Sequence, residues 1–364
     1  MLDSQATTSR ADGGGDASEP RGWRMVPSGP GLGTLVFVAI AMATVLAGGP
    51  YALYTGTLIC IYAIVTVSQE WILGRAGLVS LGSAAIMAIG AYTTARLSET
   101  SWGLFPVPLL VSFVFGGIVG LLIGVPGLRF KGLYLMLTTL ALQFIVMFAG
   151  QKYQGVEHEA GFLVTPPTWG SLPLNTPKAL FIITAVVLGL VLFALSGIYR
   201  GVPGRVWNAM RQDEAAASVL GAHLVRWKLA AFIGSSAITA VGGSLYAYQA
   251  GQVSYNSFSL ELSLTLLVMV FIGGLGTLAG PVIGAAVIVL LPILLDDLAD
   301  AFAGLPDVAN WLFINQATLA NGLYGLLLLL VLLFERDGIF GLGRRLGRGA
   351  LGMGRRLTTT RGEN

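Results

Sequence analysis

The side chains that most often perform catalysis or bind metals are scarce in this 364-residue sequence. Its one cysteine, Cys60, lies inside an apolar run, and the two histidines, His158 and His223, are far apart in polar segments. A thiolate metal cluster or a disulfide framework needs several such residues at defined spacing. We therefore expect no catalytic residues, no metal site and no cofactor held by this chain.

Polar residues inside long apolar runs are the other candidates for chemistry. Thr139 and Gln143 are four residues apart in one run, and Glu261 and Thr265 are four residues apart in another. Each pair lies on one face of its helix if the runs are helical. Two interpretations stay open: the faces line a translocation route, or the side chains form hydrogen bonds between helices.

The composition identifies the elements that must position these residues. Apolar residues make up 55% of the chain and charged residues 11%, whereas an ordinary soluble domain has about 25% charged residues. The apolar runs are long and continuous, unlike the segments of about 10 alternating residues in an outer-membrane barrel. The predicted fold class is an all-α polytopic membrane protein.

The apolar runs predict about ten transmembrane helices, each near the length of about 20 residues that a bilayer requires. The predicted spans are 31–49, 51–69, 76–96, 104–126, 132–149, 179–198, 228–250, 258–274, 279–295 and 319–334. In the third span, Gly77, Gly82 and Gly90 allow the helix to break or to re-enter the membrane.

The distribution of positive charge predicts the orientation. If the N-terminus is cytoplasmic, eighteen of the 21 lysines and arginines fall on the cytoplasmic side. The remaining three, Arg96, Lys152 and Lys178, fall outside. Because cytoplasmic loops carry an excess of lysine and arginine, we expect both termini to be cytoplasmic in a multi-pass protein of the cytoplasmic (inner) membrane.

The chain ends differ from the apolar middle. Residues 1–30 are rich in Gly, Ser, Asp and Arg, and they predict a disordered cytoplasmic extension. Residues 31–340 form the predicted transmembrane domain. Residues 341–364 form a basic cytoplasmic tail that would lie against anionic lipid headgroups.

Glycines spaced four apart are expected to allow close packing of helices, because lipid supplies no hydrophobic drive for helix association. The glycines concerned are Gly116, Gly120 and Gly124 in the fourth span, and Gly276, Gly280 and Gly284 leading into the ninth.

The polar loop at 199–228 is the most informative segment. It predicts a helical stretch from about Val206 to Leu220, with Gly221 as its stop. Its centre holds a charged cluster followed by small residues: Arg211, Gln212, Asp213, Glu214, Ala215 and Ala216. Such a helix is either a solvated loop element or a lever that docks into a soluble subunit.

This loop resembles the coupling loop of the branched-chain amino-acid ABC transporter permeases, specifically of the LivM-like subunits. Further segments resemble the same family: GRAGLVSLGSAAIMAIGAY (74–92), GVPGLRFKGLYLMLTTLA (124–141), FIGGLGTLAGPVIGAA (271–286) and GLYGLLLLLVLLF (322–334). The resemblance covers about 50–340 in the right order. It implies that Arg211 to Ala216 and Gly221 couple the permease domain to an ATPase.

The resemblance also implies partners. In that family two homologous permeases pair, each engages a cytoplasmic ATPase, and an extracytoplasmic binding protein delivers the solute. A P-loop needs a lysine followed by serine or threonine, and none of the four lysines here, Lys131, Lys152, Lys178 and Lys228, has that neighbour. ATP and Mg would therefore be bound by the partner ATPase. We expect membrane lipid as a further partner and no nucleic acid.

Departures from the family pattern leave the solute open. The family usually has Asn where Glu70 stands, His where Ser83 stands and Glu where Thr265 stands. Branched-chain amino acids are the first expectation, and urea, an amide or another small polar solute is the alternative. For Glu70 itself, five residues before Arg75, a local ion pair at the membrane interface is expected.

A function of a different class is a secondary transporter or channel that works without an ATPase. Such proteins usually place paired ionisable groups near the bilayer midplane. The sequence has no clear midplane carboxylate with a basic partner, which favours the importer subunit. An intramembrane enzyme would need a His or Asp constellation that the sequence lacks.

Overall fold

The computed structural model describes residues 49–100, 103–127, 133–155, 161–169, 172–174 and 176–301, with short pieces between 314 and 333. The predicted extension 1–30, almost all of the span 31–49 and the basic tail 341–364 lie outside the described residues. Of the predicted last span, 319–334, the structure describes only short helical pieces.

The described residues are predominantly α-helical. The helices are α1 (Pro50–Glu70), α2 (Ser83–Ser98), α3 (Val107–Gly127), α4 (Leu133–Gln154), α5 (Pro177–Arg200), α6 (Val202–Gln212), α7 (Glu214–Val219), α8 (Leu224–Ala250), α9 (Leu260–Gly273) and α10 (Ala279–Ala301). A π-helix, Trp71–Arg75, continues α1, and a 3₁₀ turn, Tyr255–Phe258, precedes α9.

Two small antiparallel sheets connect loops at one end of the helices. Strand β1 (Phe162–Leu163) pairs with β4 (Gln252–Val253), with Phe162 opposite Val253. Strand β2 (Thr168–Trp169) pairs with β3 (Leu172–Pro173). The first sheet ties the segment after α4 to the segment after α8.

Five of the described helices are long and apolar enough to cross a membrane. They are Pro50–Arg75, Val107–Pro126, Tyr134–Gln154, Pro177–Arg200 and Leu224–Ala250. Leu260–Gly273 and Ala279–Leu295 are apolar but shorter. The prediction of a helical, multi-pass membrane protein is confirmed, whereas ten spans and cytoplasmic termini stay predictions.

The third predicted span is broken. Its helix begins at Ser83 rather than near residue 76, and residues 76–82 are not helical. Gly77 has φ +69°, a conformation that other residues rarely adopt. The resulting α2 has 16 residues, fewer than the roughly 20 that span a bilayer.

Helix α8 lies at the centre of the bundle, in contact with α1, α2 and α3. Its backbone approaches α2 closely in both directions: a Cβ on Gly90 would overlap the carbonyl of Ala240, and a Cβ on Gly243 would overlap the carbonyl of Met87. Small residues permit this approach, which brings van der Waals contact and places backbone atoms side by side.

The predicted packing glycines of α3 face α8. A Cβ on Gly116 would lie 2.6 Å from the carbonyl oxygen of Ser236, and one on Gly120 would lie 2.7 Å from the Cβ of the same serine. A Cβ on Gly124 would lie 2.7 Å from Cδ1 of Leu229. The side of α3 that carries these glycines therefore has no room for side chains.

The other three glycines lie around the turn between α9 and α10. Cβ atoms on Gly280 and Gly284 would collide with backbone oxygens of Gly273 and Met269. Gly276 is in the turn itself, with φ +88° and open space around a built Cβ. Its position differs from the predicted helix-packing role, because here the backbone conformation requires glycine.

Candidate functional site

The segment that the sequence predicts as one helix from Val206 to Leu220 forms two helices, α6 and α7, separated at Asp213. Asp213 is extended, with φ −155°, and its Oδ1 accepts hydrogen bonds from the backbone N–H groups of Ala215 (2.8 Å) and Ala216 (3.2 Å). Asp is a strong N-cap residue because its carboxylate satisfies free N–H groups of the first turn. Gly221, with φ +88°, follows the end of α7 at the predicted stop.

One side of α6 is buried against the long helices. Trp207 and Met210 are each only 2% exposed. The indole of Trp207 packs edge-on against Trp71 of the π-helix, and its Nε1–H donates a hydrogen bond to the carbonyl of Trp227 at 2.8 Å. Helix α6 is thereby fixed to both the π-helix and the start of α8.

The opposite side of the segment is exposed. Val219 and Leu220 at the end of α7 are 87% and 84% exposed, although both are large and apolar. We define the α7 surface as the exposed residues Gln212, Asp213, Ala215, Ala216, Val219 and Leu220. It combines small, charged and apolar side chains on one short element outside the membrane-spanning helices.

Glu214 and Arg211 point away from this surface. The carboxylate of Glu214 pairs with Nζ of Lys228 at 2.6 Å, which joins α7 to the start of α8. The guanidinium of Arg211 donates a hydrogen bond to the carbonyl of Gly74 in the π-helix. Partial burial lowers the pKa of Arg211, and the nearby carboxylate of Glu70 opposes that shift.

The carboxylate of Glu70 is fully buried where α1 meets the π-helix. Its Oε2 accepts a hydrogen bond from the Tyr199 hydroxyl at 3.0 Å, and its Oε1 accepts one from the Gly276 N–H at 3.1 Å. The Nε of Arg75 lies 4.0 Å from Oε1, so the predicted ion pair between Glu70 and Arg75 is present. The carboxylate also joins two other elements, α5 and the turn before α10.

Arg75 extends this arrangement to α6. Its guanidinium donates to the carbonyl of Gly276 at 3.0 Å and to Oδ1 of Asn208 at 3.3 Å, and it lies 4.5 Å above the centre of the Tyr199 ring. We define the Glu70 cluster as Glu70, Arg75, Tyr199, Asn208, Arg211 and Gly276. Sequence reasoning missed Tyr199 and Asn208 and gave Gly276 a helix-packing role, because nothing in their local pattern points to residue 70.

The structure brings Thr139 and Gln143 together at the break before α2. Gln143 is buried; its Oε1 accepts hydrogen bonds from the Ala85 N–H (2.8 Å) and the Ser263 hydroxyl (3.1 Å), and its Nε2 donates to the carbonyl of Phe258 (2.6 Å). The hydroxyl of Thr139 accepts from the N–H of Leu81 at 3.0 Å. These side chains satisfy backbone groups that the break leaves without helical partners.

Glu261 and Thr265 do not meet this pair. Glu261 is exposed in the first turn of α9, and the Thr265 hydroxyl donates to the carbonyl of Glu261 at 2.9 Å. The residue of α9 that contacts Gln143 is Ser263. Two of the four candidate pathway residues therefore lie together, and the other two lie on a different side of α9.

No group of three His, Cys, Asp or Glu side chains that could hold a metal ion occurs among the described residues. The arrangement combines the exposed α7 surface with a buried ionic cluster that joins α6 and the π-helix to α5 and the turn before α10.

Comparisons with known proteins identify the family of the chain. Residues 51–332 match the family model described as the branched-chain amino acid transport system / permease component. The high-affinity branched-chain amino acid transport system permease protein LivM of Salmonella typhimurium is 29% identical over 295 residues, which cover 73% of this chain and 68% of that protein.

Two further relatives are named for different solutes. A probable branched-chain amino acid transport permease protein LivM of Methanocaldococcus jannaschii is 23% identical over 329 residues, covering 77% of this chain and 90% of that protein. The autoinducer 2 import system permease protein LsrC of Enterobacter sp. is 30% identical over 190 residues, covering 50% and 53%. No solved structure matches the chain.

Proposed function

The chain belongs to the family of branched-chain amino acid transport system permease components, and from this premise we propose that it is the membrane subunit of an ATP-binding-cassette importer in the cytoplasmic membrane. Two cytoplasmic ATPase subunits bind and hydrolyse ATP, and a homologous permease completes the pathway. An extracytoplasmic binding protein delivers the solute.

The observation that carries the proposal is the exposure of Val219 and Leu220. Large apolar side chains exposed together outside the membrane-spanning helices mark an interaction site. The neighbouring Ala215 and Ala216 permit a partner backbone to approach closely, and the charge of Asp213 fixes its orientation. These features favour a protein partner over lipid.

The buried side of the segment supports a lever role. Helix α6 is fixed to the π-helix through Trp207 and Arg211, and α7 is fixed to α8 through Glu214 and Lys228. A force applied to the α7 surface is therefore passed to packed helices rather than absorbed by a loose loop. Arg211, Gln212, Asp213, Glu214, Ala215, Ala216 and Gly221 form the proposed coupling segment.

Branched-chain amino acids are the proposed solute, because the relatives that cover most of the chain are named for them. Urea, an amide or another small polar solute is the alternative, and the relative named for autoinducer 2 import illustrates that related permeases differ in solute.

Thr139, Gln143, Glu261 and Thr265 are proposed to border the translocation route. The support is the location of Thr139 and Gln143 at a helix break, where unwound backbone lies among membrane helices. Broken helices of this kind form solute sites in many transporters. In this structure Thr139 and Gln143 accept hydrogen bonds from the backbone N–H groups of Leu81 and Ala85 beside the break.

Co-purification from the native host tests the proposal. The eluate is analysed by mass spectrometry for the wild type, for a Val219→Ser/Leu220→Ser variant and for Val225→Ser, a control at another exposed apolar residue. We expect an ATPase and a homologous permease with the wild type and the control. The double variant should keep the permease and lose the ATPase.

Two results would contradict the proposal. If the chain purifies alone and moves solute in ATP-free vesicles, it is a secondary transporter or channel. If the double variant retains the ATPase in full, the α7 surface is not the contact with the ATPase.

A further inference from the structure

We infer that Glu70 is a positioning residue that transmits movement of the coupling segment to the turn between α9 and α10. The inference rests on the proposed function and adds to it a specific relay inside the membrane domain. The juxtaposition behind it is one buried carboxylate that joins α1 to two elements far away in sequence, α5 and the turn between α9 and α10.

The first part of the relay is the carboxylate itself. Glu70 ends α1, accepts a hydrogen bond from Tyr199 at the end of α5, and accepts another from the Gly276 N–H. Tyr199 is three residues before Val202, the first residue of α6, and the coupling segment begins near the end of that helix. Movement of α6 therefore acts on the carboxylate through a short stretch of chain.

The second part is Arg75. Its guanidinium bridges Asn208 of α6 and the carbonyl of Gly276. Glu70 accepts a hydrogen bond from the N–H of Gly276, and Arg75 donates one to the carbonyl of the same residue. Both backbone polar groups of Gly276 in the turn are therefore hydrogen-bonded to this cluster. Both contacts to Gly276 come from α1 and its π-helix, so a shift of α6 acts on them through the hydrogen bonds that join Asn208 to Arg75 and Tyr199 to Glu70.

The π-helix is the third part. A Cβ on Gly74 would overlap the carboxylate of Glu70, so the carboxylate folds over its own following turn. The carbonyl of Gly74 also accepts the hydrogen bond from Arg211. π-Helical turns inside α-helices occur frequently at functional sites, because their extra residue leaves an alternative register available.

A role in transmitting movement explains a buried ionic cluster better than a contribution to stability does. Apolar residues of similar volume often stabilise a buried site as well as an ion pair does. A hydrogen-bonded charge network, in contrast, tolerates few intermediate geometries, because a partly satisfied buried charge is costly. The cluster is therefore expected to exchange between discrete arrangements as the coupling segment moves.

The test uses the purified full complex in proteoliposomes, with the co-purified ATPase, permease and binding protein. Uptake of labelled leucine and hydrolysis of ATP are measured for the wild type and for Glu70→Gln, which keeps the volume and removes the charge. We expect the ATPase to remain bound, and uptake per ATP hydrolysed to fall by roughly tenfold, a common size for coupling between sites.

A control and a second variant keep the test decisive. Glu99→Gln removes the charge of an exposed carboxylate that pairs with Arg96 at 3.7 Å, and uptake per ATP should stay at the wild-type value. Tyr199→Phe removes the hydrogen bond to Glu70 and keeps the ring beneath Arg75. Uptake per ATP hydrolysed should fall in this variant as well. If Glu70→Gln does not fold, Tyr199→Phe alone tests the inference.

The outcomes separate this inference from the proposed function. If the wild type shows no ATP-driven uptake with any solute that its binding protein carries, the proposed function fails and the inference fails with it. If wild-type uptake is ATP-driven, and Glu70→Gln and Tyr199→Phe match the wild type per ATP hydrolysed, only the inference is wrong. A loss of folded complex with an unchanged ratio in the surviving fraction would also overturn it, because Glu70 would then act only in stability.

Discussion

Trp207 packs edge-on against Trp71, with ring centroids 5.3 Å apart and ring planes at 70°. Trp207 lies on α6, and Trp71 begins the π-helix that continues the first described long helix. Edge-to-face geometry is favourable because the positive ring edge meets the negative face. This aromatic contact joins α6 to the π-helix, and the Glu70 cluster joins the same two elements through polar contacts.

Replacement of Trp207 by alanine is expected to lower the free energy of unfolding by about 3–5 kcal/mol, because it removes a buried aromatic side chain and leaves a cavity. Trp207→Phe should cost less, since it keeps ring contact and loses the hydrogen bond to Trp227. Thermal unfolding in detergent measures both. The exposed Val219→Ala is the matched control, and an equal melting temperature for Trp207→Ala and Val219→Ala would contradict the packing role.

Loss of the Asp213 cap is expected to loosen α7 without unfolding the protein. Asp213→Ala should cost about 1 kcal/mol locally, equal to roughly a fivefold rise in the rate of amide exchange at Ala215 and Ala216. Asp213→Asn keeps an oxygen that accepts the same hydrogen bonds and should exchange like the wild type. Hydrogen exchange with mass spectrometry measures the difference, and identical exchange in all three proteins would refute the capping role.

Gly116 and Gly117 form a matched pair on α3. A Cβ on Gly116 would lie 2.6 Å from the Ser236 carbonyl oxygen, whereas the nearest atom to a Cβ on Gly117 is 3.7 Å away. We expect Gly116→Ala to destabilise the protein by about 1–3 kcal/mol through overpacking against α8. Gly117→Ala should leave the melting temperature unchanged. Equal effects of the two variants would argue against a glycine-dependent contact.

Replacement of Gln143 is expected to lower stability, whereas replacement of Glu261 is expected to lower solute uptake. Gln143→Ala leaves the buried Ala85 N–H and Phe258 carbonyl without their present partner, at a cost of about 1–3 kcal/mol for each group. Glu261→Ala, at an exposed position, should leave stability unchanged and lower solute uptake at normal protein levels. Melting temperature and uptake are measured on the same preparations. Unchanged uptake with Glu261→Ala would remove this residue from the proposed pathway.

Local features of the chain were predictable from the sequence. The apolar runs identified the helices, because a bilayer demands segments of a certain length and composition. Gly77, Gly82 and Gly90 indicated that the third span could break or re-enter, and the structure places a break at the first two and Gly90 inside α2. The ion pair of Glu70 with Arg75 was expected from their nearness in the chain. The split at Asp213 was missed, although an aspartate followed by Glu214 and three alanines is a recognisable N-cap signal.

Contacts between distant segments were not predictable in the same way. Tyr199 and Gly276 are 129 and 206 residues from Glu70 in the chain, yet both donate hydrogen bonds to its carboxylate. On α9 the sequence pointed to Glu261 and Thr265, whereas the structure turns Ser263 toward Gln143.

The sequence by itself determined which described segments are apolar helices and which polar segment is a candidate lever, because bilayer thickness and glycine conformation are local constraints. Only the tertiary structure decided which face of each helix meets which neighbour. In a membrane helix that is apolar all round, hydrophobic periodicity does not mark a buried side. Close packing of small residues and satisfaction of buried polar groups determine the rotation of each helix instead.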